Sequence, residues 1–177
     1  MKYYTGNIDP WWTYEHQKLP YQKNDYSDPV QLKKWKQEGY SKLDFSGNYY
    51  SGKYETSEFA ERFKNLFDWD DIGTAFFKLT TEQFMPQHQD HYQIYQKIFS
   101  VSDPRLICRC VVFLESWSPG HYFDIADHGI TNWSAGDYVV WQYDTPHSAG
   151  NVGLADRYTV QITGTARDVK NYYKLKA

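Results

Sequence analysis

The sequence predicts a mainly β protein: short strands forming a sandwich or barrel, with helices packed against it. Two observations carry this. From Ile72 onward apolar residues recur at every second position, the period of a half-buried strand, whereas upstream of Ile72 the clearest apolar stripe has the helical period of 3.6. The strand-like runs are also punctuated by turn signals at Asp103-Pro104, Ser118-Pro119-Gly120, Ala135-Gly136-Asp137 and Asn151-Val152-Gly153. Many short strands preceded by helices fit a layered β architecture.

The elements follow in chain order. The first fifty residues are polar and aromatic, and Pro10, Pro20 and Pro29 break any long element. Ser27-Asp28-Pro29 reads as a helix start, with Pro at the first helical position and the helix running to about Glu38 before Gly39 stops it. Ser46 to Lys53 reads as a turn region or short hairpin. Thr56 or Ser57 caps a second helix whose Phe59, Phe63, Leu66 and Phe67 form one apolar stripe. Strands are expected over Phe76 to Phe84, Leu106 to Leu114, Gly120 to Ile125, Asp137 to Tyr143 and Arg157 to Thr165. The stretch His91 to Phe99 reads equally as a short helix or an irregular excursion. No internal repeat or low-complexity tract is present.

These elements make one domain of 177 residues. Its parts are an aromatic-rich arm with a short helix (1–55), a helix (56–71), a strand-rich core (72–167) and a C-terminal tail (168–177).

Composition narrows the function classes. A hydrophobic share of 41% marks a globular chain. Aromatic residues reach 19%, enough ring surface for a core and for the walls of a groove. A net charge of −3 gives no bulk attraction for nucleic acid, and Lys33-Lys34-Trp35-Lys36, the one dense basic stretch, reads as a solvated helix face. No apolar run follows a charged N-terminus, and no stretch has the length of a membrane span. Cys108 and Cys110 lie two apart on a predicted strand, so they share a face and suit buried, reduced thiols better than a disulfide. These features lead to the expectation of a cytoplasmic protein.

Two strands have an unusual polarity. One face of Arg157 to Thr163 carries Arg157, Thr159, Gln161 and Thr163, and the other carries Tyr158, Val160 and Ile162. Between Arg105 and Leu114, Arg109 shares a face with Ile107, Val111 and Phe113, while Leu106, Cys108, Cys110 and Val112 take the other. Either the polar faces look at water, or Arg157 and Arg109 look into a polar lumen.

The chemistry rests on His88-Gln89-Asp90 and the distant His147. A lone His-x-Asp is weak. Here it follows a predicted strand and the turn-prone Met85-Pro86, and spacing of two lets both side chains reach one point at a strand end. His147 stands in Asp144-Thr145-Pro146-His147-Ser148, just past the strand that ends near Tyr143. Two imidazoles and a carboxylate make a facial set that holds Fe(II) and leaves positions open. Arg157 supplies a planar fork for a carboxylate. Of the other histidines, His91 reads as surface and His16 carries no signal. His121 and His128, with Asp124 and Asp127, are a weak candidate for a second metal site.

His88-x-Asp90, then His147, then Arg157-x-Thr159 resembles the signature of the 2-oxoglutarate/Fe(II)-dependent oxygenases. The most specific part runs from Trp133 through Thr145-Pro146-His147-Ser148-Ala149-Gly150-Asn151 to Arg157-Tyr158-Thr159-Val160-Gln161-Ile162. It is similar to small phage-encoded oxygenases, and more remotely to prolyl and aspartyl/asparaginyl hydroxylases. The resemblance covers roughly Ile72 to Arg167 and implies a double-stranded β-helix, a jelly-roll, cupin-like barrel with flanking helices. It implies that His88, Asp90 and His147 bind Fe(II) and form the catalytic centre. Arg157 and Thr159 would receive the distal carboxylate of 2-oxoglutarate, and Arg109 would meet a carboxylate of the cosubstrate or of the substrate. O₂ would be the oxidant, succinate and CO₂ the by-products, and an unidentified protein side chain or small molecule the substrate. A phage origin would move the location to the host cytoplasm.

Two rival readings remain at this level. A cupin-type metalloenzyme would need no 2-oxo acid, and a non-enzymatic barrel would use its aromatic lumen to hold a ligand. The residues Trp11, Trp12, Tyr14, Tyr21 and Tyr26 either wall a substrate site or pack on the barrel.

Overall fold

Alternating apolar runs build two facing antiparallel sheets in the computed structural model, which describes residues 3–26, 28–40, 46–51 and 57–176. The larger sheet has seven strands. In spatial order they are β1 (Tyr3–Asn7), β9 (Asp137–Gln142), β6 (Ile107–Phe113), β11 (Arg157–Ala166), β4 (Trp69–Leu79), β3 (Ser46–Ser51) and β2 (Gln22–Asp25). The smaller has four: β5 (Gln83–His88), β10 (His147–Asn151), β7 (His121–Ile125) and β8 (His128–Ile130).

Strand alternation then sorts the side chains into two cores. On the outer face of the larger sheet, Phe76, Cys110, Val112, Val140, Val160 and Ile162 pack beneath Phe59, Ala60 and Phe63 of the helix Glu58–Lys64. Between the sheets, Val111, Phe113, Val139 and Trp141 meet Phe123 and Ile125 of β7. Burying one such side chain contributes roughly 2 kcal/mol. Cys108 and Cys110 lie on the outer face as free, buried thiols, and burial pushes Cys108 up to about 12.

The helix starts follow their caps. Asp28 accepts from the backbone N–H groups of Val30 (2.9 Å) and Gln31 (3.1 Å), and α1 runs over Pro29–Gln37. Trp35 of α1 is fully buried while Lys33, Lys34 and Lys36 are exposed, the solvated face expected. Ser57 caps α2 (Glu58–Lys64) by accepting from Ala60 N–H. Ser27, Gly52, Lys53 and Thr56, which also entered those readings, lie outside the described residues. The stretch after Asp90 resolves into a helix, α3 (Gln93–Phe99), entered through Tyr92 at φ 50°.

Four expectations need correction. The single strand expected over Phe76 to Phe84 is two, β4 and β5, joined by a turn at Thr80 to Glu82 that carries the chain from the larger sheet to the smaller. Glu82 takes φ 69°, and the turn holds no Gly, Pro or Asn to betray it. Residues 46–51 form a strand, not a turn region. The segment 1–55, read as an arm with one helix, also contributes β1, β2 and β3 to the larger sheet. These strands lie at or beside its two edges, so they lack the apolar alternation of central strands. Finally, β10 (His147–Asn151) was read as turn and loop because its residues are small and polar. A Cβ at Gly150 would collide with the ring of Tyr122, its partner on β7, so close approach and not hydrophobicity selects this strand.

Candidate metal centre

His88 closes β5, His147 opens β10, and the two are directly paired across the ladder. Their rings stand 4.3 Å apart. Asp90, just past β5, turns back to the same point. Its Oδ1 lies 3.9 Å from His88 Nε2 and its Oδ2 3.5 Å from His147 Nε2. One ligand atom from each residue falls within 4.8 Å of the others, and among the described residues this is the one His/Cys/Asp/Glu group so arranged.

Backbone carbonyls orient both rings. His88 Nδ1 donates to Pro86 O at 2.8 Å, and His147 Nδ1 donates to Thr145 O at 3.0 Å. A carbonyl can only accept, so the proton sits on Nδ1 and the Nε2 lone pair is left for a metal. Burial lowers the proton affinity of both rings, His147 to about 3, with the neighbouring His88 as the second cause. Both therefore remain neutral donors at neutral pH. Burial pushes the Asp90 carboxyl up, but Arg109 foremost, with the two histidines, outweighs it and holds the group at about 2. Two neutral imidazoles and one carboxylate converging on one point suit a divalent metal.

Arg109 sits on β6 and faces inward, as the lumen reading of that strand expected. Its Nη1 donates to Asp90 Oδ2 in a close ion pair, its Nε donates to Thr163 Oγ1 at 3.3 Å, and its guanidinium lies 4.8 Å over the Tyr92 ring. Tyr92 donates to the same Asp90 Oδ2 at 3.3 Å. Arg109 thus belongs to the metal-ligand end of the barrel.

Arg157 opens β11 and also faces inward. It is 5% exposed, and its guanidinium lies 5.5 to 5.9 Å from the rings of Trp133, Phe113 and Phe123. It makes no ion pair or hydrogen bond to any described residue, and its buried Nε lacks a partner. Burial without a counter-ion lowers it to about 10. Thr159, buried at 3%, follows on the same face opposite Phe113. Among the described residues no carboxylate meets this buried cation, an arrangement suited to receiving an anion.

Two groups that shape this site had no settled role in the sequence, although Tyr26 of the second was one of the aromatic residues left open between site wall and packing. Asn151, at 0% exposure, donates to Leu79 O (2.9 Å) and Ala155 O (2.8 Å) and accepts from Gly153 N–H (2.9 Å). His121 donates its Nε2 proton to the same Ala155 carbonyl at 2.8 Å. Leu79 is the ladder partner of Arg157, so Asn151 ties both sides of the Arg157 backbone together. The Asn-Val-Gly turn signal marked the position but not this role. Tyr26 and Trp35 are the second group. Both pack edge-on against the His88 ring at 5.7 and 5.8 Å, and Trp35 Nε1 donates to Gln87 O at 3.0 Å. Tyr26 therefore reaches the site, while Trp11, Trp12 and Tyr21 pack on the outer core.

The second metal site is not formed. His121 is buried and bonded to Ala155, whereas His128 is exposed and bonded to Ala126 O. His91 is exposed, as expected. His16 is buried and pairs with Glu115 at 2.8 Å. A surface depression lined by Trp69, Arg167 and Tyr172 lies apart from the triad and includes none of its residues.

A Pseudomonas putida prolyl-4-hydroxylase superposes with a TM-score of 0.53 at 14% identity, covering 86% of this chain and 95% of that one. The chain folds as a double-stranded β-helix. A Burkholderia pseudomallei oxidoreductase of the 2OG-Fe(II) oxygenase family gives the same TM-score at 12% identity, covering 85% of this chain and 77% of that one. No protein-family model and no curated protein matches the sequence. At these identities the likeness is one of fold alone, and the His-Asp-His cluster is an observation on this chain. No helix among the described residues is long and apolar enough to cross a membrane.

Asn151→Ala should weaken binding of a dicarboxylate at Arg157 about tenfold or more, because Arg157 loses its fixed backbone frame. Metal affinity should change little. Calorimetric titration of Mn(II) and then 2-oxoglutarate checks this, and equal loss of both affinities would indicate general disruption instead.

Proposed function

We propose that this chain is an Fe(II)- and 2-oxoglutarate-dependent dioxygenase that hydroxylates a protein side chain or a small molecule. The observation that carries the reading is Arg157, a buried cation without an ionic or hydrogen-bond partner among the described residues, on the inner face of the barrel that holds the His-Asp-His cluster. A metal site alone does not call for such a residue. A 2-oxo dicarboxylate does, since one end can reach the metal while the other requires a cation.

The residues divide the work as follows. His88 and His147 present Nε2, oriented by the carbonyls of Pro86 and Thr145, and Asp90 presents a carboxylate oxygen. Arg157 and Thr159 receive the distal carboxylate. Strand β10 links the two ends, since His147 opens it and Asn151 closes it, a span of roughly 13 Å along the strand. Trp141, whose ring lies 4.9 Å from that of His147, and Phe123, 5.9 Å from Trp141, line the interior and exclude water. Bound there, iron and 2-oxoglutarate would supply the oxidising chemistry that side chains lack, coupling O₂ reduction to decarboxylation with release of succinate and CO₂.

The test is conversion of 2-oxoglutarate to succinate by the iron-loaded protein. Turnover should require both Fe(II) and O₂ and should stop on chelation. Iron-loaded protein that neither binds 2-oxoglutarate nor forms succinate would leave a cupin-type metalloenzyme independent of 2-oxo acids.

A further inference from the structure

We infer that Arg109 selects a substrate bearing a carboxylate, which it receives at the mouth of the barrel on the side of the metal centre away from Arg157. This rests on the function proposed above. Arg109 stands opposite Thr163 on β11, whereas Arg157 opens that strand, so the two arginines mark positions roughly 20 Å apart along its inner face. The His-Asp-His cluster lies at the Arg109 end, because Asp90 is bonded directly to Arg109. A 2-oxo acid reaching from the cluster to Arg157 leaves Arg109 on the other side.

Hydrogen bonding and charge both point to an anion there. Nη1 and Nε are engaged by Asp90 and Thr163, but Nη2 makes no hydrogen bond to any described residue. The side chain is 17% exposed and is not among the sealed, unpartnered groups, so Nη2 has access to solvent. Without metal, Asp90 neutralises Arg109. Once a divalent metal shares Asp90, that neutralisation is divided. A doubly charged metal and a doubly charged 2-oxo acid cancel, Asp90 supplies one negative charge, and Arg109 and Arg157 supply two positive ones. The loaded centre therefore keeps one positive charge, and Arg109 is its carrier on the open side. Asp127, which accepts a hydrogen bond from Gln87 beside the cluster, and Asp144, three residues before His147, are both exposed. Tyr26, packed on the His88 ring, and Tyr92, whose ring lies 4.8 Å under the Arg109 guanidinium, give the mouth ring surface beside the cation. A guanidinium flanked by rings favours a planar carboxylate over its neutral amide, since only the carboxylate returns charge to a partly desolvated donor.

The experiment uses full-length protein saturated with Mn(II) and 2-oxoglutarate without O₂. One arm titrates aliphatic and aromatic monocarboxylic acids against their primary amides. The other titrates short blocked peptides containing Asp or Glu against their Asn or Gln counterparts, so the arms separate a free acid from a protein side chain. The tightest ligand should be an acid that binds tenfold or more better than its amide. Arg109→Gln should erase that ratio and Arg109→Lys should restore most of it. Acid and amide behaving alike in every pair, including no binding by either, overturns the proposal. So does an acid preference that survives Arg109→Gln, because that points to direct metal ligation. Failure of the parent reading has a different signature: wild-type protein then binds no Mn(II), or binds Mn(II) and no 2-oxoglutarate. In the latter case the acid-to-amide ratio is still read on the metal-loaded protein.

Discussion

Arg157→Met should abolish 2-oxoglutarate binding and at the same time make the unliganded protein more stable. The guanidinium is buried without a counter-ion, and burial lowers it from 12.5 to about 10. At neutral pH it is charged in both the folded and unfolded chains, so the whole depression is a cost to the folded state, roughly 3 kcal/mol. Methionine fills a similar volume among Phe113, Phe123 and Trp133 without that cost. For a chain of this length the gain corresponds to a rise in Tm of roughly 6 to 12 °C. Thermal unfolding and calorimetry of the same preparation check both halves. An unchanged or lower Tm would show that Arg157 has a structural partner after all, and retained 2-oxoglutarate affinity would remove it from the cosubstrate site. A binding cation kept at the expense of stability is the usual signature of a functional position. The wild-type protein should recover the deficit when the ligand is added, through mass action on the folded state.

Asp90→Ala should carry the second large effect. From sequence alone this change reads as a loss of metal affinity with the fold intact. The structure adds that it strands Arg109, a largely buried cation, without its counter-ion. Breaking such a pair costs about 3 kcal/mol, a fall in Tm of roughly 6 to 12 °C. Adding Arg109→Met to Asp90→Ala removes the stranded charge and should return Tm close to wild type, while metal binding stays lost in both variants. The comparison separates the two roles of Asp90. A single variant as stable as wild type would mean that Arg109 finds another acceptor. Metal binding unimpaired in the double variant would remove Asp90 from the ligand set.

The legible part of the molecule was local. The Asp28 and Ser57 caps could be read because a capping side chain and the helix it starts are neighbours in sequence. The inward face of β11 could be read because alternation along one strand places Arg157 and Thr159 together. His88 and Asp90 could be joined by their spacing at a strand end. The strand β10 was not legible, since its small polar residues answer to the ring of Tyr122 on the neighbouring strand. Nor was the turn at Glu82 between the two sheets, where a left-handed residue stands without a usual turn marker.

The sequence by itself determined the donor types, two imidazoles and a carboxylate, and the presence of an arginine on the polar face of an otherwise apolar strand. Only the tertiary structure decided that His147 pairs across the ladder with His88, that Arg157 meets no counter-ion among the described residues, and that Arg109 neutralises Asp90. The reason is physical. Spacing along one strand or helix is set by backbone geometry and can be read in the chain. Whether a buried charge meets a partner depends on which strands pack side by side, and that is determined by the whole core at once.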